Sequence, residues 1–306
     1  MRVFVTGASG WIGSAVVPEL LNNGHEVLGL ARSDASAAAI AAAGADVLRG
    51  DLEDLESLRK GASETDGVIH LGFIHDFSRF AEVQQLDRAA IDAMADVLEG
   101  TNKPLSIASG ILFMGYAPRA ATEKDTPQVD PAAFPRAGTS LAVAAMADRG
   151  IRTSVVRLAP TVHGRGDQGF IAMIVAIARK TGVSAYIGEG SNHWPAVHRL
   201  DAATLFRLAI EKAPAGSALH GTAEQGVKTR DIAEAIGRGL NLPVESIAPE
   251  KAAEHFEWMG RFFGTDQLSS NAITRELLGW NPTHPTLLED IDAGYYFEES
   301  AVSKYT

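Results

Sequence analysis

Val3-Phe4-Val5-Thr6-Gly7-Ala8-Ser9-Gly10-Trp11-Ile12-Gly13 opens the chain with a short apolar run that breaks into glycines at 7, 10 and 13. Val3-Phe4-Val5 reads as a strand, and Trp11 to Asn22 as a helix ended by Asn23-Gly24. Between such elements each glycine has its own task. Gly7 permits a tight turn out of the strand, Gly10 has no Cβ to keep a phosphate from the backbone, and Gly13 lets the helix pack close to the strand. The first turn of a helix also leaves N–H groups free and carries the positive end of the dipole. A glycine triplet alone suits any flexible turn; placed between a strand and a helix, it suits a pyrophosphate. Gly7, Ser9, Gly10, Trp11, Ile12 and Gly13 are therefore expected to hold a dinucleotide cofactor.

Outward from this turn the pattern repeats. Glu26 to Leu30 reads as a second strand, with an Ala-rich helix over Ala35 to Ala43 stopping at Gly44. Asp46 to Leu48 is a third strand, before a short helix through Leu55 and Leu58. Val68 to Leu71 is a fourth, followed by an amphipathic helix from about Phe80 to Leu98; Leu105 to Ala108 and Thr153 to Leu158 continue the series. Strands joined by helical crossovers predict an α/β architecture, a Rossmann-type doubly wound parallel sheet with ligands beyond the carboxyl ends of its strands. Prolines 118, 127, 131 and 135 mark a long irregular loop. After about Arg165 the alternation loosens, and Pro243 to Trp280 carries helical stretches with few strand signals. The expected division is a dinucleotide-binding domain over 1–165, to which 195–225 returns, and a smaller, mostly helical substrate-binding lobe within 166–306.

The 306 residues are 46% hydrophobic and 21% charged, with a formal net charge of −11. Such an acidic balance disfavours a nucleic acid or an anionic membrane as partner and leaves a small-molecule substrate. With no cysteine, disulfides and thiolate metal sites are excluded. Apolar stretches such as Phe170 to Ala178 fall short of the roughly 20 residues that span a bilayer. No signal-peptide pattern is seen at the N-terminus, so a cytoplasmic location is the default expectation, and a homodimer is compatible with the composition.

The glycine spacing, with Thr6 before the first glycine, resembles the extended short-chain dehydrogenase/reductase superfamily, the NAD(P)-dependent epimerase/dehydratase group. Gly50-Asp51-Leu52 is similar to its adenine-side motif, and Val68-Ile69-His70-Leu71-Gly72 to its fourth-strand signature. Pro195-Ala196-Val197-His198-Arg199-Leu200-Asp201 resembles its "vHv-D" segment, and Leu277-Leu278-Gly279-Trp280-Asn281-Pro282 its "LGW-P" element. The resemblance spans most of the chain. It implies cofactor contacts from Asp51 and Leu52 on the adenine side and from Leu71, Gly72, Phe73, Pro160 and His163 further along, His163 standing where the family often has a tyrosine near the nicotinamide.

The choice of cofactor turns on the tip of the second strand. NAD-selective sites place a carboxylate there for the ribose 2′-hydroxyl. Here the tip carries Arg32 and Ser33, a cation and a hydroxyl suited to a 2′-phosphate. NADP is the expected cofactor, with NAD as the alternative; Asp34 either caps the following helix or reaches the ribose.

One part of the family pattern is missing. Reductases of this superfamily pair a tyrosine with a lysine four residues on, and add a serine or threonine from the fifth-strand loop. Four residues after Tyr116, Tyr186, Tyr295 and Tyr296 stand Ala120, Gly190, Glu299 and Ser300, and no lysine lies between Lys124 and Lys180. By register from Arg157, the pair falls near Ala132 and Arg136. The candidate catalytic residues are Ser109, Tyr116 and Arg136, with His75, His163, Tyr186 and His198 as other acids. His198 lies in a segment that in this family commonly orients structure. His193 and His198 are five apart with no carboxylate between them, so no metal site is expected. Trp11, Phe73, Phe113, Trp194 and Trp258 are candidates to wall a pocket. The expected activity is NADP(H)-dependent oxidoreduction of a small carbonyl or alcohol, with an atypical proton donor. The alternatives are a non-catalytic NADP(H) sensor and a nucleotide-sugar epimerase or dehydratase, the latter weakened by the missing tyrosine.

Overall fold

The computed structural model describes residues 1–74, 79–112, 114, 118–128 and 135–298, with backbone alone at Phe80 and Ala81. In chain order the elements of the N-terminal half are β1 (Arg2–Thr6), α1 (Gly13–Asn22), β2 (Glu26–Ala31), α2 (Asp34–Ala42), β3 (Asp46–Arg49), α3 (Leu55–Ser63), β4 (Gly67–His70), α4 (Phe80–Leu98), β5 (Pro104–Gly110), α5 (Pro135–Ala145) and β6 (Arg152–Leu158). There follow β7 (Thr161–His163), α6 (Phe170–Thr181), β8 (Ser184–Ile187), β9 (His193–His198), α7 (Arg199–Lys212), β10 (Ser217–Gly221), β11 (Glu224–Lys228), α8 (Thr229–Leu240) and β12 (Val244–Ile247). Four short helices end the fold: α9 (Ala252–Phe256), α10 (Met259–Phe263), α11 (Ala272–Leu278) and α12 (Leu287–Asp292).

Seven strands form one sheet in the order β10-β6-β5-β4-β1-β2-β3, every pairing parallel. β1 lies between β2 and β4, so the winding reverses beside it and opens a crevice at its carboxyl end. Because helices cover both faces, side chains of either parity along a strand are buried, and the strands read as apolar runs without alternation. Val3 and Val5 join a core with Val16 and Leu20 of α1 and Leu205 and Phe206 of α7. Phe4 points the other way, into a core with Leu58 of α3 and Ile91 and Met94 of α4. The long helix has the ends its pattern predicts. α1 begins at Gly13 rather than Trp11, because Gly7 to Ile12 form the turn, closed by Gly10 N–H donating to the Gly7 carbonyl at 2.9 Å.

A second core, around Ile174, Trp194, Ile236, Phe263 and Ile291, gathers α6, α8, α9, α10 and α12. Two small sheets accompany it, β11-β9-β7 and β12-β8. β10 and α7 return to the main sheet. The two C-terminal motifs meet here: Trp280 Nε1 donates to the Asp201 carbonyl at 3.0 Å, and the Asp201 carboxylate accepts from the Thr283 and His284 amides at 3.0 and 3.1 Å. Among the described residues no helix is long and apolar enough to cross a membrane.

Of the glycines, Gly13 has the closest approach to other backbone: a Cβ there would lie 2.1 Å from the Gly7 carbonyl oxygen and 2.8 Å from Ala8 Cα. Both obstacles are backbone and cannot rotate aside. Gly13→Ala is expected to lower stability by about 1–3 kcal/mol or more, read by urea unfolding. A variant as stable as the parent would show that the helix does not need this approach.

Candidate functional site

The crevice is built first by the turn after β1. Gly7 has φ +66°, and a Cβ on it would meet Gly72 N at 2.7 Å, so the turn rests directly on the chain leaving β4. Thr6 lies beneath, fully buried; its Oγ1 accepts from Gly72 N–H at 3.1 Å and shares a 2.8 Å hydrogen bond with His70 Nδ1. His70 Nε2 lies 3.2 Å from Asp87 Oδ1 on α4. This buried chain clamps β1 to β4 under the turn. No side chain caps the N-terminus of α1. Leu52 covers Gly72, where a Cβ would come within 2.9 Å of Leu52 Cδ2, so the adenine-side loop meets the same corner. Asp51 shapes that loop by accepting from the Glu53 and Asp54 amides at 2.8 and 3.0 Å.

At the tip of β2 the roles of three residues separate. Ser33 is the N-cap of α2, its Oγ accepting from Ser36 N–H at 3.1 Å. Asp34 is left in solvent and pairs with Arg49 at 3.0 Å. Arg32 stands exposed just past the strand. Arg49 ends β3 opposite Ala31, which puts a second guanidinium on the same corner as Arg32. An exposed pair like Arg49–Asp34 contributes little stability. Its consequence is electrostatic, because it neutralises the Asp34 carboxylate beside the tip of β2.

At the carboxyl ends of β4 and β5 the structure brings together two of the candidate catalytic residues. Arg136, in the first turn of α5, donates from Nη2 to the Ala108 carbonyl at 2.9 Å, with its Cζ 4.4 Å from the centre of the Phe73 ring. Burial pushes this guanidinium's pKa down, opposed by the charge of Asp87. Ser109 Oγ lies 2.7 Å from Ser140 Oγ, and the Ser140 hydroxyl also donates to the Arg136 carbonyl at 2.9 Å. Ser140, one helical turn beyond Arg136, thus ties the two together. Tyr116, His75, Phe113 and Ala132 lie outside the described residues.

The third wall comes from β7 and α7. Trp11 is half-buried; its Nε1 donates to the Val162 carbonyl at 2.8 Å, and the Arg199 guanidinium stacks 4.4 Å from its ring. Pro160, half-buried, leads from β6 into β7. His163 is fully buried, with Nδ1 2.6 Å from Asp290 Oδ2 and Nε2 3.8 Å from Glu224 Oε2. His198 stands 5.5 Å from the His163 ring, stacks on His284 at 4.9 Å, and accepts from Leu200 N–H to cap α7. These histidines belong to an interior network behind the crevice, and among the described residues no cluster of three ligands could hold a metal. Trp194 is fully buried in the lobe core and cannot wall a pocket, whereas Trp258 is 44% exposed beside Phe170 and Phe262. Tyr186 lies in the lobe near Arg230, away from these walls.

Residues 3–220 match the model of the NAD dependent epimerase/dehydratase family. A Schizosaccharomyces pombe protein named only as uncharacterized is 46% identical over 298 residues, covering 97% of this chain and all of its own. A Saccharomyces cerevisiae protein, likewise named as uncharacterized, is 48% identical over 297 residues, covering 96% of this chain and 99% of its own. Among solved structures, a double mutant of the dTDP-glucose 4,6-dehydratase of Streptomyces venezuelae, with NAD and a second ligand bound, superposes with a TM-score of 0.77 at 20% identity, covering 98% of both chains. At that identity the likeness establishes the fold.

Behind β7, Asp167 is the buried carboxyl with the largest consequence. Burial pushes its pKa from 3.8 up to about 6, against hydrogen bonds from Gly169 N–H at 2.7 Å and the Tyr296 hydroxyl at 2.8 Å. The folded state therefore holds this proton more tightly than the unfolded chain. The contribution is complete below about pH 4 and is lost as pH rises through about 6, on the order of 3 kcal/mol in all. Asp167→Asn removes this term, so its stability relative to wild type should rise by that order between pH 4 and pH 8 in urea titrations. Parallel pH profiles would show that Asp167 titrates normally.

Proposed function

Because the chain belongs to the NAD dependent epimerase/dehydratase family, we propose that it is an NADP(H)-dependent oxidoreductase acting on a small carbonyl compound or its alcohol, with an atypical proton donor. The observation that carries this reading is the turn after β1. Its glycines are closed in by backbone at 7 and 13, and the helix it feeds has no side-chain cap. A pyrophosphate fits such a place, where no side chain competes for the amides. In this reading Gly7 to Gly13 take the pyrophosphate, Asp51 and Leu52 border the adenine, and Leu71, Gly72, Phe73 and Pro160 line the path to the nicotinamide. His163, wholly buried, acts from behind by fixing β7. Residues 1–165 with 195–225 bind the cofactor, and the remainder of 166–306 the substrate.

Arg32 favours NADP over NAD, since its guanidinium stands at the ribose end while Arg49 neutralises Asp34 beside it. When bound, the nicotinamide supplies or accepts a hydride at the substrate carbon. The oxygen is left to the protein. Ser109, whose one proton goes to Ser140 Oγ while Ser140 donates to the Arg136 carbonyl, would turn that proton to the substrate oxygen when substrate binds. Arg136 holds ribose hydroxyls from its post over Phe73, and being permanently charged it is not the proton source. Tyr116 is assigned as donor, giving the substrate oxygen its proton on reduction and taking it back on oxidation. A nucleotide sugar finds less support: Arg165, Lys180, Arg230 and Arg238 of the lobe are each held by a carboxylate.

The reading is tested by following NADPH absorbance over a panel of small aldehydes and ketones. Turnover is expected with wild type, none with Gly10→Val, and a drop of roughly 100-fold or more in kcat for Tyr116→Phe. Tight NADPH binding without consumption on any carbonyl would replace the enzyme by a sensor. In binding measurements Arg32→Ala should raise the Kd for NADPH about tenfold and leave NADH unchanged. Equal losses for both would count against NADP selectivity.

A further inference from the structure

Arg199 is an arginine with no carboxylate partner among the described residues. It opens α7, immediately after His198. The aliphatic stem lies against Gly164, where a Cβ would come within 3.3 Å of Arg199 Cγ and 3.4 Å of Cδ. The guanidinium stacks over the Trp11 ring at 4.4 Å, and that ring is itself anchored by Nε1 donating to the Val162 carbonyl. The side chain is thus held at both ends, half-buried, above a residue of the phosphate turn.

Among the described residues no carboxylate pairs with it, in a chain of 38 acidic and 27 basic side chains. Its neighbours differ. Arg207, two turns further along α7, is bound by Glu19 and Glu211, and Arg165, across the β7 loop, by Glu298. Burial disfavours the Arg199 charge and lowers its pKa with no opposing anion. A guanidinium partly withdrawn from water without a partner is costly. Stacking on an indole offsets some of that cost and fixes the fork of donors in one orientation. The anion that would complete the arrangement is one seated on the amides of the turn to which Trp11 belongs.

We propose that Arg199 is a pyrophosphate-binding residue, presented to the dinucleotide by its stack on Trp11. This rests on the dinucleotide reading given above and adds to it a ligand from a segment far along the chain. The cofactor linker would then bridge the turn after β1 and the start of α7, two elements that the sequence separates by nearly the whole nucleotide half.

The experiment is direct binding by calorimetry, with four probes: NADPH, NADH, ADP-ribose and adenosine 2′-phosphate. The variants are Arg199→Met, which keeps the bulk over Trp11, and Arg199→Lys, which keeps the charge. Arg199→Met should weaken NADPH, NADH and ADP-ribose alike, by about tenfold or more. Adenosine 2′-phosphate, which lacks the linker, should bind as to wild type. Arg199→Lys should recover part of the loss. This pattern is the converse of Arg32→Ala, which should weaken only the two ligands carrying a 2′-phosphate. Unchanged affinity of Arg199→Met for ADP-ribose and NADH, with wild type binding both, overturns the assignment and leaves the dinucleotide reading intact. An equal loss for adenosine 2′-phosphate also overturns it, since the effect would then be disruption of the whole site. Failure of wild type to bind any dinucleotide overturns both.

Discussion

A helix can begin in contact with the strand that feeds it only if nothing projects from the backbone where the two meet. That constraint governs this molecule. Gly13 lies so close to the Gly7 carbonyl that a methyl group has no room, and Gly7 in turn lies against the chain leaving β4. These contacts place the open end of α1 over the reversal of the sheet, at one end of the crevice. The buried run from Thr6 through His70 to Asp87 holds the two strands on either side in register beneath it. A hydrogen-bonded chain of this kind, removed from water, is strong while every member is satisfied and expensive to leave incomplete. It sets the floor of the site without touching whatever occupies it.

Charge is arranged around that floor against the overall balance of the chain. The molecule is strongly acidic, yet the rim of the crevice carries Arg32, Arg49, Arg136 and Arg199. Asp34 is drawn to Arg49, and Asp87 faces inward to His70 while its field reaches Arg136. The acidic surplus lies elsewhere, much of it on helix faces where it pairs at short sequence spacing, as in Glu56 with Arg59 and Asp92 with Arg88. A local positive field inside an acidic surface suits a small anionic ligand and repels large polyanions.

The sheet was legible in the sequence because both its faces are covered, which turns each strand into an apolar run bounded by turn residues, and because each crossover helix carries one apolar stripe. The strands Ser184–Ile187 and Val244–Ile247 were not, since they are four residues each and pair only with one another, so neither shows a run long enough to read. In the site, the turn could be read residue by residue because its chemistry is local. Arg49 could not: its place beside Arg32 comes from strand register, Ala31 against Arg49, and no local pattern marks it. Ser140 and the His70–Asp87 pair are hidden for the same reason, being partners across 31 and 17 residues. Trp194, read as a possible pocket wall, is core, because an aromatic residue in a central strand of a small sheet has an apolar lobe to enter.

Why the C-terminal segment matters to a crevice built by the N-terminal half follows from α7. The helix packs on α1 across one face of the sheet, so its position is fixed along its length by the nucleotide half. Its first turn is fixed from the other side. Asp201 accepts two amides from Thr283 and His284 and takes a hydrogen bond from His284 Nδ1, while Trp280 closes on its carbonyl. His198 caps the helix and stacks on the same His284. The residue between these anchors is Arg199, and its stack on Trp11 completes a circuit from the C-terminal segment through α7 to the phosphate turn. The 280–284 segment, the start of α7 and the Trp11 ring are thus joined by a run of contacts of a few ångströms each.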